Sequence, residues 1–235
     1  LIAALPAYLI RFNILGLPAT LLEVMIWVVF LVWAVKNFNL VKNNFLKNFK
    51  KENKKIKIKY PFDWEIILLL LIALAAVGVA GFSLSSLGIW KAYFFEPAML
   101  FIVVLNIMKG EKGRNEILWA LSISALAVSA LAIYQKITGQ LIANPLWAAA
   151  ETRRVVSFFG YPNAVGLYLG PIILVMAGWI VDTVKIFQLA IFNWQTIFNY
   201  KIFKIFFICL VIILSALSIY FAKSKGALVG MAAGL

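Results

Sequence analysis

Two adjacent arginines, Arg153 and Arg154, stand shortly before a turn and a long apolar run. Arginine presents a planar fork of N–H donors that matches the oxygens of a phosphate group. The turn itself, Tyr161-Pro162-Asn163, opens the apolar run, and Asn163 has two alternative roles. It caps the helix N-terminus, or its amide orients a ligand or the loop. The pattern indicates that Arg154, with Arg153 and Asn163, binds an anionic ligand at a membrane boundary.

A second basic turn, Ser224-Lys225-Gly226, precedes the last apolar stretch of the chain. Backbone N–H groups at a helix N-terminus favour anions, and Lys225 adds a positive charge at the same place. We therefore expect Lys225 to contribute to the same anion site as Arg154. For Arg11, Lys136 and Lys223 the expectation is only that each side chain extends to the lipid headgroups.

Three ionisable residues interrupt apolar segments, namely Glu23 in one segment and Lys91 and Glu96 in another. An ionisable residue at membrane depth is a candidate for function, and structural pairing is the equal alternative. Because Lys91 and Glu96 are five positions apart, they share the face of a regular α-helix only loosely. Lys91 is included among the candidate substrate-binding residues.

The composition predicts an all-α, polytopic transmembrane bundle of seven to eight spans. Of the 235 residues 64% are hydrophobic, with mean hydropathy +0.98, whereas soluble domains are about 45–50% apolar. Several segments approach the roughly 20 apolar residues that a membrane-spanning helix needs. The predicted spans are residues 1–10, 18–35, 63–82, 87–108, 117–136, 163–181 and 204–222, with an eighth from 226.

The net charge of +13 is concentrated in a few loops, and nine of the 22 basic residues lie in Lys36–Lys59. Anionic lipid headgroups explain this basicity better than nucleic acid does, so the expected partner is the bilayer. Lys109–Glu116 and Asp182–Lys204 also carry basic residues, and the predicted spans put all three loops on one side. The positive-inside rule makes that side the cytoplasm and places Arg154 on the outer side.

Residues 1–235 are predicted to form a single transmembrane domain that is truncated at both ends, because the chain starts at Leu1 and ends in an apolar stretch. Residues 36–60 form a basic cytoplasmic loop, 137–162 an outer loop and 183–203 a cytoplasmic amphipathic interfacial segment. The chain has no histidine, and its single cysteine lies in an apolar run, where an inert packing role is expected. No metal and no cofactor are expected.

The candidate residues also match a known family. The segment Arg154-Val155-Val156-Ser157-Phe158-Phe159-Gly160-Tyr161-Pro162-Asn163 resembles the Arg…Gly-x-Pro-Asn element of the O-antigen ligase and O-antigen polymerase family. Ser224-Lys225-Gly226-Ala227 resembles its Ser-Arg-Gly-Ala element, and Gly88–Pro97 looks like an upstream element of related bacterial members. The resemblance covers most of the chain and corresponds to the N-terminal part of such a protein.

The resemblance implies a multi-pass glycosyltransferase of the bacterial inner (cytoplasmic) membrane that serves lipopolysaccharide or other surface-polysaccharide biosynthesis. Such enzymes move a glycan from a polyprenyl-diphosphate-linked donor to a lipid or glycan acceptor on the outer face. The family's arginines hold the diphosphate, a role that passes to Arg154 and to Lys225, although lysine lacks the bidentate fork. The family's catalytic histidine lies in a later outer loop, so the base is expected beyond residue 235. Ligation, polymerisation and protein glycosylation stay open as reaction types.

A transporter or flippase for an anionic lipid-linked glycan is the alternative, because it would use the same basic outer cavity without chemistry. A structural membrane protein would explain the helices but not the placement of Arg154 and Lys225.

Overall fold

A computed structural model describes residues 1–14, 17–49, 62–189 and 194–234 of the chain. Its regular structure is almost entirely helical, which confirms the predicted all-α class. The elements in chain order are a 3-10 helix (Ile2–Leu9), β1 (Arg11–Ile14), β2 (Leu17–Thr20), α1 (Leu21–Phe49), α2 (Asp63–Val79), α3 (Leu84–Trp90), a π-helical turn (Lys91–Phe95), α4 (Glu96–Ile107), α5 (Gly110–Thr138), α6 (Pro145–Ala148), α7 (Pro162–Leu189), α8 (Trp194–Phe221) and α9 (Lys225–Gly234).

Four helical stretches of the described residues are long and apolar enough to cross a membrane. They are Leu84–Ile107, Gly110–Thr138, Pro162–Val184 and Ile202–Phe221, and each overlaps a predicted span. Many large apolar side chains on these helices are exposed, as expected of surfaces that face lipid. The chain is therefore a helical membrane protein with four candidate spans. The predicted count of seven to eight spans exceeds these four. Among the described residues, Ile2–Leu9 is a 3-10 helix, α2 and α9 are shorter, and α1 is not among the candidate spans.

The N-terminal residues differ from the two spans predicted there. Ile2–Leu9 is a 3-10 helix, and β1 and β2 form an antiparallel hairpin that pairs Asn13 with Pro18. Pro18 therefore belongs to a strand and not to the first turn of a helix. The first long helix begins at Leu21, after Thr20, whose hydroxyl accepts a hydrogen bond from the Glu23 N–H at 3.2 Å. That bond is the usual one of an N-cap residue.

The first long helix also extends beyond its predicted end, into the residues expected to form the basic loop. α1 continues to Phe49, and no glycine or proline lies between Lys36 and Phe49 to end it. Residues 50–61 of the predicted loop lie outside the described residues. The predicted interfacial segment is likewise divided, because α7 continues to Leu189 and α8 begins at Trp194. Residues 190–193 between them lie outside the described residues.

The chain divides into two compact units. The first contains Leu1 and Ile10–Glu116, and the second contains Ile2–Leu9 and Ile117–Leu235. In the first unit, α4 packs against α1, and the π-helical turn packs against α2 and its two neighbouring helices. In the second unit, α7 packs against both α8 and α9.

The core of the second unit combines large apolar residues with buried serines. Its largest fully buried side chains include Leu169 and Met176 of α7 and Ile208 of α8. Between α5 and α8, the hydroxyl oxygens of Ser129 and Ser215 lie 3.3 Å apart, and both residues are fully buried. Small hydroxylic residues let helices approach closely in an apolar environment, where interhelical hydrogen bonds add to the packing.

Candidate functional site

The candidate site lies at one end of the second unit, where four long elements have their termini. α5 ends there at Thr138, α7 begins at Pro162, α8 ends at Phe221 and α9 begins at Lys225. The connection 139–161 runs across these termini and is anchored to them. Its Val155 N–H donates to the Phe221 carbonyl at 3.3 Å, which attaches the connection to the last turn of α8.

A fully buried glutamine near the end of α5 fixes the shape of the connection. The Gln135 carboxamide oxygen accepts the N–H groups of Val156 and Ser157 at 2.9 and 2.7 Å. Its nitrogen donates to the carbonyls of Leu141 and Ser157 at 2.9 and 3.0 Å. Both Leu141 and Ser157 have positive φ, at 62° and 51°, which non-glycine residues seldom adopt. The carboxamide thus holds two strained residues in place.

Arg154 joins the connection to the ends of α7 and α8. Its Nε donates to the Ala222 carbonyl at 3.0 Å, and its Nη2 donates to Asn163 Oδ1 at 3.2 Å. A longer contact of 3.5 Å runs from Nη2 to the Lys223 carbonyl. Among the described residues, Nη1 of Arg154 donates to no acceptor, so that side of the guanidinium fork is available to a ligand. A cation beside the last carbonyls of α8 also offsets the negative end of that helix.

Asn163 is not the N-cap of α7. The helix begins at Pro162, whose missing N–H is not needed at a first helical position, and Asn163 is the second residue. Its side-chain oxygen accepts from Arg154 and so orients the guanidinium group. Of the two roles considered for Asn163, this contact fits orientation of the loop that carries Arg154.

The α8–α9 turn packs directly against the start of α7. A Cβ added at Gly166 would lie 2.5 Å from Ala227 Cβ and 2.6 Å from Ser224 Oγ, so only glycine fits there without displacement. Small residues such as Gly166 permit this close approach of two helices. The two sequence elements, one around Arg154 and one around Lys225, therefore meet in the fold.

Lys225 is the first residue of α9 and is exposed. Within the part of the chain that the structure describes, its ammonium group has no carboxylate or carbonyl partner. The N–H groups of the first turn of α9 also have no acceptor within the helix, as at any helix N-terminus. Lys225 and this turn are thus free to interact with an anion.

Arg153 points away from Arg154 and bonds only to backbone. Its Nη1 donates to the carbonyls of Lys136 and Ile137 at 3.0 and 3.3 Å, and its Nε donates to Ala148 at 3.2 Å. The guanidinium lies where a side chain at Gly139 would be. These contacts give Arg153 a structural role, which is to hold the connection against the C-terminus of α5.

Lys91 belongs to the first unit and forms a separate cluster with two acids, Glu23 and Glu96. Its ammonium lies 2.7 Å from a carboxylate oxygen of Glu23 and 3.9 Å from one of Glu96. Glu96 is almost fully buried and accepts a hydrogen bond from Trp27 Nε1 at 3.0 Å. The expectation that Lys91 and Glu96 share a face only loosely is wrong. In the π-helical turn the Glu96 N–H bonds to the Lys91 carbonyl, which aligns residues five apart.

The sequence interpretation missed Gln135 and overlooked the difference between the two arginines. A polar residue within the apolar Ala-Ile-Tyr-Gln-Lys stretch was the available signal for Gln135. In the described residues, no group of three His, Cys, Asp or Glu side chains is arranged to hold a metal ion.

Fold and site together define a helical membrane protein with a basic site at the termini of four packed elements. Comparison of the chain with protein-family models, with curated proteins and with solved structures finds no match. The function is therefore inferred from the residues and their geometry.

Proposed function

We propose that this chain is part of an O-antigen ligase-like membrane glycosyltransferase. It would move a glycan from a polyprenyl-diphosphate carrier to an acceptor on the outer face of the bacterial inner membrane. The supporting observation is the meeting of Arg154 and Asn163 with the α8–α9 turn that carries Lys225. These are the two sequence elements that resemble the family, and they come from positions about 70 residues apart.

The geometry suits the binding of a diphosphate. Two of the three guanidinium nitrogens of Arg154 are held by protein acceptors, which fixes the orientation of the third nitrogen. Lys225 and the first turn of α9 supply further positive potential. When the acceptor oxygen attacks the sugar carbon, the bond from that carbon to the diphosphate oxygen breaks. Arg154 and Lys225 offset the charge that develops on the leaving diphosphate, while a general base takes the acceptor proton.

The proposal includes the finer membrane topology. The end of the second unit that carries Arg154 faces outward, and the loops rich in lysine face the cytoplasm. A total of seven spans, the lower predicted number, is reached if α1, α2 and α9 also insert in the membrane. Transport of a lipid-linked glycan without transfer is the competing function, and the assay below separates the two.

The test is glycan transfer from a polyprenyl-diphosphate-linked donor, measured with the full-length protein in proteoliposomes. We expect Arg154→Ala to reduce transfer by about 100-fold or more, the scale for removal of one transition-state donor. Arg154→Lys should recover transfer only in part, because the fork is lost. Lys225→Ala should also reduce transfer, and Lys225→Arg should be tolerated.

Two controls separate catalysis from folding. Lys225 makes no bond within the described protein, so Lys225→Ala should lower transfer without lowering the thermal unfolding temperature. Lys223→Ala removes a neighbouring charge and should leave transfer almost unchanged. Wild-type transfer by Arg154→Ala and Lys225→Ala would exclude the diphosphate site. Movement of the glycan-lipid across the bilayer without any transfer would favour the transporter.

A further inference from the structure

A cavity of about 310 Å³ lies beside the Arg154 segment, between α6 and residues 156–160. Its size is at the lower end of the roughly 300–1,000 Å³ range of small-molecule sites. It lies next to Arg154 in the fold, because the Arg154 N–H donates to the carbonyl of the lining residue Trp147 at 3.0 Å. None of the bonds that hold the guanidinium group of Arg154 involves this cavity.

The cavity walls combine aromatic rings with uncharged polar groups. Trp147, Phe158 and Phe159 provide the rings, while Asn144 and Gly160 provide polar groups. No lysine, arginine, aspartate or glutamate is among the lining residues. A ligand group that fits here is neutral and has both an apolar face and a polar edge.

Several donors on these walls have no protein acceptor. Asn144 Oδ1 accepts the Leu146 N–H at 3.0 Å and so caps α6. The Nδ2 of the same side chain takes no part in this cap. In the described part of the chain, that Nδ2 and the backbone N–H groups of Phe158 and Gly160 donate to no protein atom. Asn144 is half-buried and Phe158 and Gly160 are exposed, so these donors bond to water or to a ligand.

Part of the cavity wall is held in place by hydrogen bonds within the protein. Leu141 and Ser157 both line the cavity, and these are the two residues with positive φ that the buried Gln135 carboxamide holds. Backbone strain that the surrounding structure enforces is concentrated at functional sites. A preformed cavity also reduces the ordering cost of binding.

We propose that this cavity binds one neutral sugar ring. The apolar face of the ring lies on Trp147 and Phe158, and its hydroxyl oxygens accept from Asn144 Nδ2 and the backbone N–H groups. An acyl chain would leave those donors unpaired, and an anion would find no charged wall residue. The identity of the biological ligand rests on the proposed function. That ligand is a sugar of the transferred glycan, close to its diphosphate.

The test is saturation-transfer NMR with a panel of methyl glycosides of neutral hexoses, added to the full-length protein in nanodiscs. Trp147→Ala should raise the dissociation constant of the bound glycoside by about tenfold. Asn144→Asp should do the same, and it keeps the oxygen that caps α6, so the fold is retained. Tyr161→Ala is the matched control, because Tyr161 is an exposed neighbouring aromatic residue outside the cavity.

The results separate this site from the proposed reaction. Unchanged binding in both Trp147→Ala and Asn144→Asp would overturn the sugar site, even where Arg154→Ala abolishes transfer. Loss of glycoside binding in both variants, in a protein that transfers no glycan, would support the sugar site and reject the reaction. Bromine-labelled acyl chains that quench Trp147 fluorescence, with no saturation transfer to any glycoside, would identify a lipid site and overturn the proposal.

Discussion

Neighbouring arginines at this site do different work. Arg153 donates to three backbone carbonyls and holds the connection to α5, whereas Arg154 has one nitrogen directed by its bonds to Ala222 and Asn163. Gln135 positions both the Arg154 segment and the proposed sugar cavity, although it contacts neither ligand. A single residue with four hydrogen bonds therefore determines the local backbone on which the proposed chemistry depends.

At this scale we predict that Gln135→Leu destabilises the protein. The change leaves two N–H groups and two carbonyls without partners at a fully buried position. The free energy of unfolding should fall by about 2–4 kcal/mol, as measured by denaturant titration in detergent micelles.

The control for this prediction is Gln140→Leu, which alters an exposed glutamine that accepts only from Tyr134. Its cost should stay below about 1 kcal/mol, the range of an ordinary hydrogen bond. An equal cost for the two variants would show that Gln135 does not organise the connection.

At the scale of the elements, the π-helical turn brings the charged side chains of the first unit together. The extra residue per turn places Lys91 and Glu96 on one side, where Glu23 of α1 and Trp27 complete the cluster. The turn therefore links two helices through an ion pair whose members would otherwise be unpaired in an apolar environment.

We predict that Lys91→Met destabilises the first unit and that a second change compensates for it. The single change leaves the Glu23 and Glu96 carboxylates without their cation, and it should cost about 2 kcal/mol. The cost is below that of a fully buried pair, because the Lys91 side chain is 37% exposed. The double variant Lys91→Met/Glu23→Gln should recover more than half of the loss, as measured by thermal unfolding in nanodiscs.

Lys112→Met is the matched control for the loss of one positive charge, because Lys112 is exposed at the start of α5. Its effect should be within about 0.5 kcal/mol, as for most surface changes. Additive effects of Lys91→Met and Glu23→Gln would contradict a coupled pair.

At the scale of the molecule, the described residues include four candidate spans and many exposed apolar side chains, which show a helical membrane protein. Its orientation rests on the distribution of basic residues among the loops. This orientation decides whether the Arg154 end meets substrate outside or inside the cell, and so the proposed reaction depends on it.

We predict that Lys112 faces the cytoplasm and that Trp147 faces outward. A single cysteine placed at each position, in a chain with Cys209→Ser, should react with a membrane-impermeant maleimide only from the predicted side. Lys50, which lies outside the described residues, should behave as Lys112 does. Labelling of position 147 from the cytoplasmic side alone would reverse the orientation and reject an outer-face reaction.

The sequence by itself determined the class of protein and the approximate position of the four candidate spans found in the described residues. Hydropathy is a local property, so runs such as 163–181 and 204–222 predict spans whatever they pack against. Hydropathy does not report strand pairing, so it missed the N-terminal hairpin. It also does not report where a helix ends, so it missed the extension of α1 to Phe49. The predicted span 18–35 begins at Pro18, yet Pro18 pairs with Asn13 in a strand.

Only the tertiary structure decided which of these residues act together. The hydrogen bonds from Arg154 to Ala222 and from Gln135 to Ser157 join positions that are far apart in sequence. The π-helical turn also could not be predicted from the spacing of residues, because one different hydrogen bond changes which residues share a face. Two side chains of the same type, such as Arg153 and Arg154, take different roles because the fold places different acceptors beside them. The positions of those acceptors depend on how the whole molecule packs.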